Sequence, residues 1–220
     1  MDIAGTLTSI KNSFDKDHVR LVAVSKTQPP ALIEQAYAAG QRIFGENRVQ
    51  ELLPKYEALP KDIEWHLIGT LQSNKVKFIA PFIALIHSVD SLKLLEAIDK
   101  EAFKNKRIID CLLQIYIAKE ENKFGLDFEE ALALLTSANF AKLKNIRIRG
   151  LMGMATNTSN TDTIRSEFKS LYRFFVSLKE SVFKDDACFT EVSMGMSGDY
   201  RIAIEEGCTI VRIGTAIFRS

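Results

Sequence analysis

Five short segments place side chains capable of chemistry within or directly after apolar runs. LVAVS leads into Lys26, RIF leads into Gly45-Glu46-Asn47, EWHLIG carries His66, SMGMS spans residues 193–197, and TIVRIGT contains Arg212, Gly214 and Thr215. A lysine that is desolvated or set near other cations loses its proton more readily, and the free amine attacks aldehydes. Glycines beside serine or threonine let the backbone approach an anion closely, with N–H and O–H groups as donors. Gly195, Ser197, Gly198, Gly214 and Thr215 have that character. Each feature also has a plainer reading, since a strand-end lysine can snorkel to water and a Gly-Thr pair can be a turn or cap. In TIVRIG, alternation sets Arg212 on the face opposite Val211 and Ile213, and a guanidinium turned into an interior needs an acceptor.

These groups need elements to position them. Short β-branched runs at Arg20–Ser25, Arg42–Phe44, Glu64–Ile68, Ala84–Ser88, Arg107–Ile117, Ile146–Met154, Cys188–Ser193 and Thr209–Ile213 read as strands. Helical patterns lie between them at Pro30–Ala39, Glu46–Ala58, Asn74–Ile79, Ser91–Lys104, Phe128–Ala138, Thr161–Glu180 and Asp199–Glu206. Ser91 is placed to cap a helix whose Leu92, Leu95, Ile98 and Phe103 fall near one face, and Phe168, Leu171, Phe175 and Leu178 do the same in the longest helix. Every connection is long enough for a crossover helix, so the strands are expected to be parallel. Eight β/α units in 220 residues suit a single closed (β/α)₈ TIM barrel. The open doubly wound sheet competes, but no G-x-G-x-x-G follows the first strand. The expectation is one domain over residues 1–220, with 1–18 as an N-terminal helical extension.

Composition narrows the class. Hydrophobic residues make up 46% and charged residues 26%, the balance of a globular chain. Lys plus Arg number 29 against 28 Asp plus Glu, a net +1, which gives no global attraction to nucleic acid or to an anionic membrane. The longest run without polar side chains, Phe78 to Ile86, is broken by Pro81 and is far below the roughly 20 residues of a membrane span. The opening residues lack the basic and apolar regions of a secretory signal, so a cytoplasmic location is expected. Cys111, Cys188 and Cys208 show no CxxC pair, and His18, His66 and His87 lack metal-ligand spacing. Neither disulfides nor a metal site are expected.

Barrels carry their functional groups at the C-terminal ends of the strands, with phosphate commonly bound after strands seven and eight. The Gly/Ser segment at 195–198 and Gly214-Thr215 fall at those two loops, and Lys26 ends the first strand at the same face. An amine beside a phosphate cradle suggests an aldehyde that bears a phosphate, for which pyridoxal 5′-phosphate is the commonest cofactor. If Arg212 meets the pyridine nitrogen, its unyielding proton keeps that nitrogen unprotonated and the ring becomes a weak electron sink. Such a ring disfavours transamination and decarboxylation.

With these residues assembled, the chain resembles the YggS/PROSC family of pyridoxal-phosphate-binding proteins, also called PLP homeostasis proteins. The resemblance runs from about Val19 to Phe218 through VAVSKTQP, FGENRVQE, WHLIGTLQSNK, ENKFGL, RGLMGMAT, SMGMSGD and TIVRIGTAIF, in the family's order. It implies a (β/α)₈ barrel like the alanine racemase N-terminal domain, PLP fold type III, holding the cofactor as a lysine aldimine without known enzymatic activity. Position by position, it implies that Lys26 forms the imine and Asn47 lies beside the ring. It further implies that Ser197, Gly214 and Thr215 contact the phosphate, that Arg212 faces the pyridine nitrogen, and that His66 and Met194 wall the pocket. The ending Ile217-Phe218-Arg219-Ser220 departs from the family's IFG plus tail.

The functional expectation is a cofactor carrier and buffer in intracellular PLP homeostasis, delivering PLP to apo-enzymes, with no catalytic residues and no partner among nucleic acids or membranes, and acting as a monomer. Two alternatives come from other classes. A PLP-dependent amino-acid racemase would need a second base on the opposite face of the adduct, and a sugar-phosphate isomerase would share the phosphate loops without needing an imine at Lys26. The segment Glu120-Glu121-Asn122-Lys123-Phe124-Gly125 reads as an exposed loop at the same face, with Lys123 a secondary amine for aldehyde contact.

Overall fold

A computed structural model describes residues 2–14, 18–119 and 124–218. Eight strands pair in sequence order, all parallel, and close into a barrel: β1 Arg20–Val24, β2 Ile43–Glu46, β3 Glu64–Leu67, β4 Leu85–Val89, β5 Ile109–Tyr116, β6 Ile146–Met154, β7 Glu191–Ser193 and β8 Ile210–Ile213. β1 joins β8 in register from Arg20↔Ile210 to Ala23↔Ile213. Between and around the strands run α1 Ile3–Asn12, α2 Pro30–Ala38, α3 Val49–Ala58, α4 Val76–Ile79, α5 Leu92–Lys104, α6 Phe128–Leu135, α7 Thr161–Glu180, α8 Tyr200–Glu205 and α9 Thr215–Phe218. No described helix is long and apolar enough to cross a membrane.

Covered on both faces, the strands are buried along most of their length rather than at alternate positions; β4, LIHSV, is buried at every position. The main core fills the space between barrel and helices, and a smaller cluster of Val22, Leu85, Leu112, Met152 and Ile210 forms separately. Helix starts follow their caps. Ser91 accepts from Leu94 N to open α5, while Asp127 and Glu130 form a reciprocal capping box at α6. In α7 the expected face of Phe168, Leu171, Phe175 and Leu178 is buried. In α5 the buried face is Leu94, Leu95, Ile98 and Ala102, and Phe103 is 69% exposed instead of packed. The three cysteines are free, and burial pushes the Cys208 thiol up to about 12.

Candidate functional site

The C-terminal ends of the strands surround a cavity of about 470 Å³. Lys26 reaches it from the loop after β1, Asn47 from the end of β2, Ser197 from the loop after β7, and Arg212, Gly214 and Thr215 from β8 and the turn into α9. Residues distant in sequence meet because β1 and β8 are hydrogen-bonded neighbours, with Val22 opposite Arg212. Two glycines shape the wall. A Cβ on Gly214 would lie 2.9 Å from the Val24 carbonyl oxygen, so only glycine lets the end of β8 close this tightly on β1. Gly195 has φ +87°, a conformation that side chains resist, and it turns the loop so that Met196 and Ser197 line the cavity.

Behind Lys26 stands a buried polar cluster. Glu46 Oε1 accepts from Ser25 Oγ at 2.6 Å and from Lys55 Nζ at 2.7 Å, while Lys55 Nζ also donates to the Ser25 carbonyl at 2.8 Å. The residue preceding Lys26 is thereby held through both its side chain and its carbonyl. Burial raises the Glu46 carboxyl above its ordinary range, opposed by the bonds from Lys55 and Ser25, and Oε2 is buried without a partner. Thr27, directly after Lys26, has φ 63°, which is strained for a β-branched residue. Its N–H donates to Glu51 Oε2 at 3.0 Å, so α3 holds the backbone on both sides of the lysine.

Arg212 is only 4% exposed. Nη1 donates to Ser193 Oγ at 2.6 Å and Nη2 to the Gly153 carbonyl at 3.0 Å. No described carboxylate lies within ion-pair distance of it. Burial lowers its pKa to about 10, still far above neutrality, so the cavity wall holds a permanent positive charge.

Six of the eight residues expected at the site thus share one cavity. His66 and Met194 do not. His66 faces the interior one pleat too deep: Ile68, two residues or about 6.6 Å further along the strand direction, lines the cavity, whereas His66 lines a separate small cavity with Arg20, Glu64 and Glu191 at the N-terminal end of the barrel. Met194 alternates to the opposite face of its segment and is wholly buried in the core under the helices, and Met196 takes the wall position. Gln28 and Met154 also line the cavity and carried no expectation as pocket walls, and Gly198 lines it from the Gly/Ser segment expected at this loop. Lys123 lies outside the described residues.

A family model described as the alanine racemase N-terminal domain matches residues 3–220. The pyridoxal phosphate homeostasis protein of Aquifex aeolicus is 42% identical over 200 residues, covering 90% of this chain and 86% of that one. The chain belongs to the pyridoxal phosphate homeostasis protein family. Among solved structures, PipY of Synechococcus elongatus without PLP superposes with a TM-score of 0.91 at 39% identity, covering 98% of this chain and 99% of PipY. The form with PLP bound gives 0.87 at 38% identity. An alanine racemase of Clostridium difficile matches with a TM-score of 0.76 at 12% identity, over 99% of this chain but 56% of the racemase, a likeness of fold alone. The cavity of this homeostasis-family member therefore sits on a barrel that its family shares with larger proteins.

Proposed function

We propose that this protein binds pyridoxal 5′-phosphate in the 470 Å³ cavity, attached through Lys26, and acts as a carrier and buffer of the cofactor without turning over a substrate. One observation carries the reading: an amine, a buried guanidinium with no described carboxylate within ion-pair distance, and a cradle of hydroxyls and glycine backbone converge on one space. A dianionic phosphate suits the cradle, with Ser197, Gly198, Gly214 and Thr215 as its donors. When bound, the cofactor supplies an aldehyde open to attack by amines. The Ser25–Glu46–Lys55 cluster fixes where Lys26 starts from, and Asn47 offers an amide beside it. Arg212, which keeps its proton, holds a facing ring nitrogen unprotonated and so makes the ring a weak electron sink, which disfavours transamination and decarboxylation.

The test is an absorbance spectrum of the purified full chain loaded with pyridoxal phosphate, before and after borohydride, followed by peptide mass mapping. The expected result is a cofactor fixed on Lys26, with Lys26→Ala folded and unmodified. A normal fixed bond in Lys26→Ala would move the attachment elsewhere and overturn the assignment. Incubation of loaded protein with L-alanine in deuterated water tests the carrier reading. α-Proton exchange and D-alanine well above the free-cofactor rate, lost in Lys26→Ala, would make it a racemase.

A further inference from the structure

TIM barrels usually fill their interior with apolar side chains, but this one also contains a continuous polar line. Arg212 Nη1 lies 2.6 Å from Ser193 Oγ, Ser193 Oγ lies 3.0 Å from His87 Nδ1, and His87 Nε2 lies 2.9 Å from His66 Nδ1. The four side chains come from β8, β7, β4 and β3 and cross the barrel. None is more than 4% exposed. At one end Arg212 lines the cofactor cavity, and at the other His66 lines a cavity of about 100 Å³ with Arg20, Glu64, Asp110 and Glu191.

The protons in this line can be assigned by counting. Arg212 can only donate, so Ser193 Oγ accepts from it. Ser193 is fully buried, and among the described residues the acceptor for its hydroxyl proton is His87 Nδ1; were that nitrogen protonated, a buried O–H would be left without a partner. His87 must then carry its proton on Nε2 and donate to His66 Nδ1. That leaves the His66 proton on Nε2, for the acceptors of the far cavity. Burial favours the neutral rings this count requires, holding His66 at about 3 and His87 well below its ordinary value.

We propose that Ser193, His87 and His66 form one directional hydrogen-bonded chain, each histidine locked as its Nε2–H tautomer, that serves to position the Arg212 guanidinium at the cofactor. These are positioning residues, since none of the three lines the cofactor cavity. Without the chain, Arg212 keeps only the Gly153 carbonyl and is free to pivot about it. The effect on cofactor rests on the function proposed above, whereas the tautomer assignment stands independently of it.

The experiment is ¹⁵N NMR of the full chain, with and without added pyridoxal phosphate, alongside cofactor titration and the absorbance spectrum of the loaded protein. Both histidines should show an unprotonated Nδ1 and a protonated Nε2 across the neutral range. Ser193→Ala should remain folded, raise the cofactor dissociation constant about tenfold, as expected for losing a hydrogen bond to a charged group, and shift the absorbance band. His66→Leu strands the His87 N–H and should weaken binding in the same direction. His66→Asn, which offers an acceptor where Nδ1 was, should restore binding and the His87 shifts. A proton on His87 Nδ1 in the parent chain would overturn the direction, and unchanged affinity and spectrum in Ser193→Ala would overturn the positioning role. Correct tautomers in a parent that binds no cofactor would sink the proposed function while confirming the chain.

Discussion

At the scale of single residues, the proposed phosphate donors and the groups behind Lys26 do different work. Ser197→Ala and Thr215→Val each remove one donor from the cradle and should weaken cofactor binding by about 1–3 kcal/mol, with the bond at Lys26 retained. Equilibrium titration checks this, and an unchanged constant in the double variant would place the phosphate elsewhere. Lys55→Met should instead act on stability. It leaves Glu46 wholly buried with only Ser25 as a partner, and breaking a buried pair in this way costs about 3–5 kcal/mol, readable in a denaturant melt. That Lys26, Ser197 and Thr215 share one cavity was legible in the sequence because each stands just past an apolar run. Glu46 and Lys55 were not, because nine residues separate them and nothing in FGENRVQE announces that the glutamate turns inward. His66 and Met194 were misplaced for a related reason: a motif tells that a residue is near a site, but a step of one or two positions along a strand changes its face or its depth.

At the scale of elements, the periodic signals were reliable and the junctions were not. β6 and α7 have the bounds their patterns predict. The segment Gly45-Glu46 reads as a loop and helix start because glycine and an acid look like a turn, yet it completes β2, and α3 begins three residues later at Val49. The buried salt bridge permits this, since it lets a charged residue end a covered strand. α1 illustrates a second kind of illegibility. It buries Ile3, Leu7 and Ile10 and packs on α2 and α9, and α9 begins at Thr215, so a helix far from the cavity in sequence buttresses the turn that carries a proposed phosphate donor. Leu7→Ala should cost about 2–5 kcal/mol and weaken cofactor binding more than a surface change of equal size. Calorimetry and titration of one preparation would measure both, and an unaltered melting temperature would show that α1 contributes little.

At the scale of the whole molecule, the interior histidines couple stability to pH. His66 titrates at about 3 and His87 well below 6.5 in the folded chain, and both return to about 6.5 on unfolding. Between those values the unfolded state binds more protons than the native one. Their contribution is therefore fully present above about pH 6.5 and is lost as pH falls toward 3, by up to about 1.4 kcal/mol per pH unit for each histidine. Denaturant melts through this window should show a shallower acid slope in His66→Asn than in the parent; equal slopes would refute the assignment. The closed eight-stranded topology was readable from the alternation of elements, whereas the polar line through its centre was not, because it joins single residues on four strands.

The pairing of β1 with β8 also has a consequence in time. Lys26 leaves the ribosome early and Thr215 late, and at about 5–20 residues per second the interval is roughly ten to forty seconds. For most of it the lysine has neither Arg212 nor the proposed phosphate donors beside it, because these are not yet made. A chain stalled after β7 should fail to retain pyridoxal phosphate through gel filtration of the ribosome complex, whereas one stalled beyond α9 with room to fold should hold it. With the site proposed above, cofactor capture in this barrel awaits the synthesis of β8, and chains that stop short of it should not hold the reactive aldehyde.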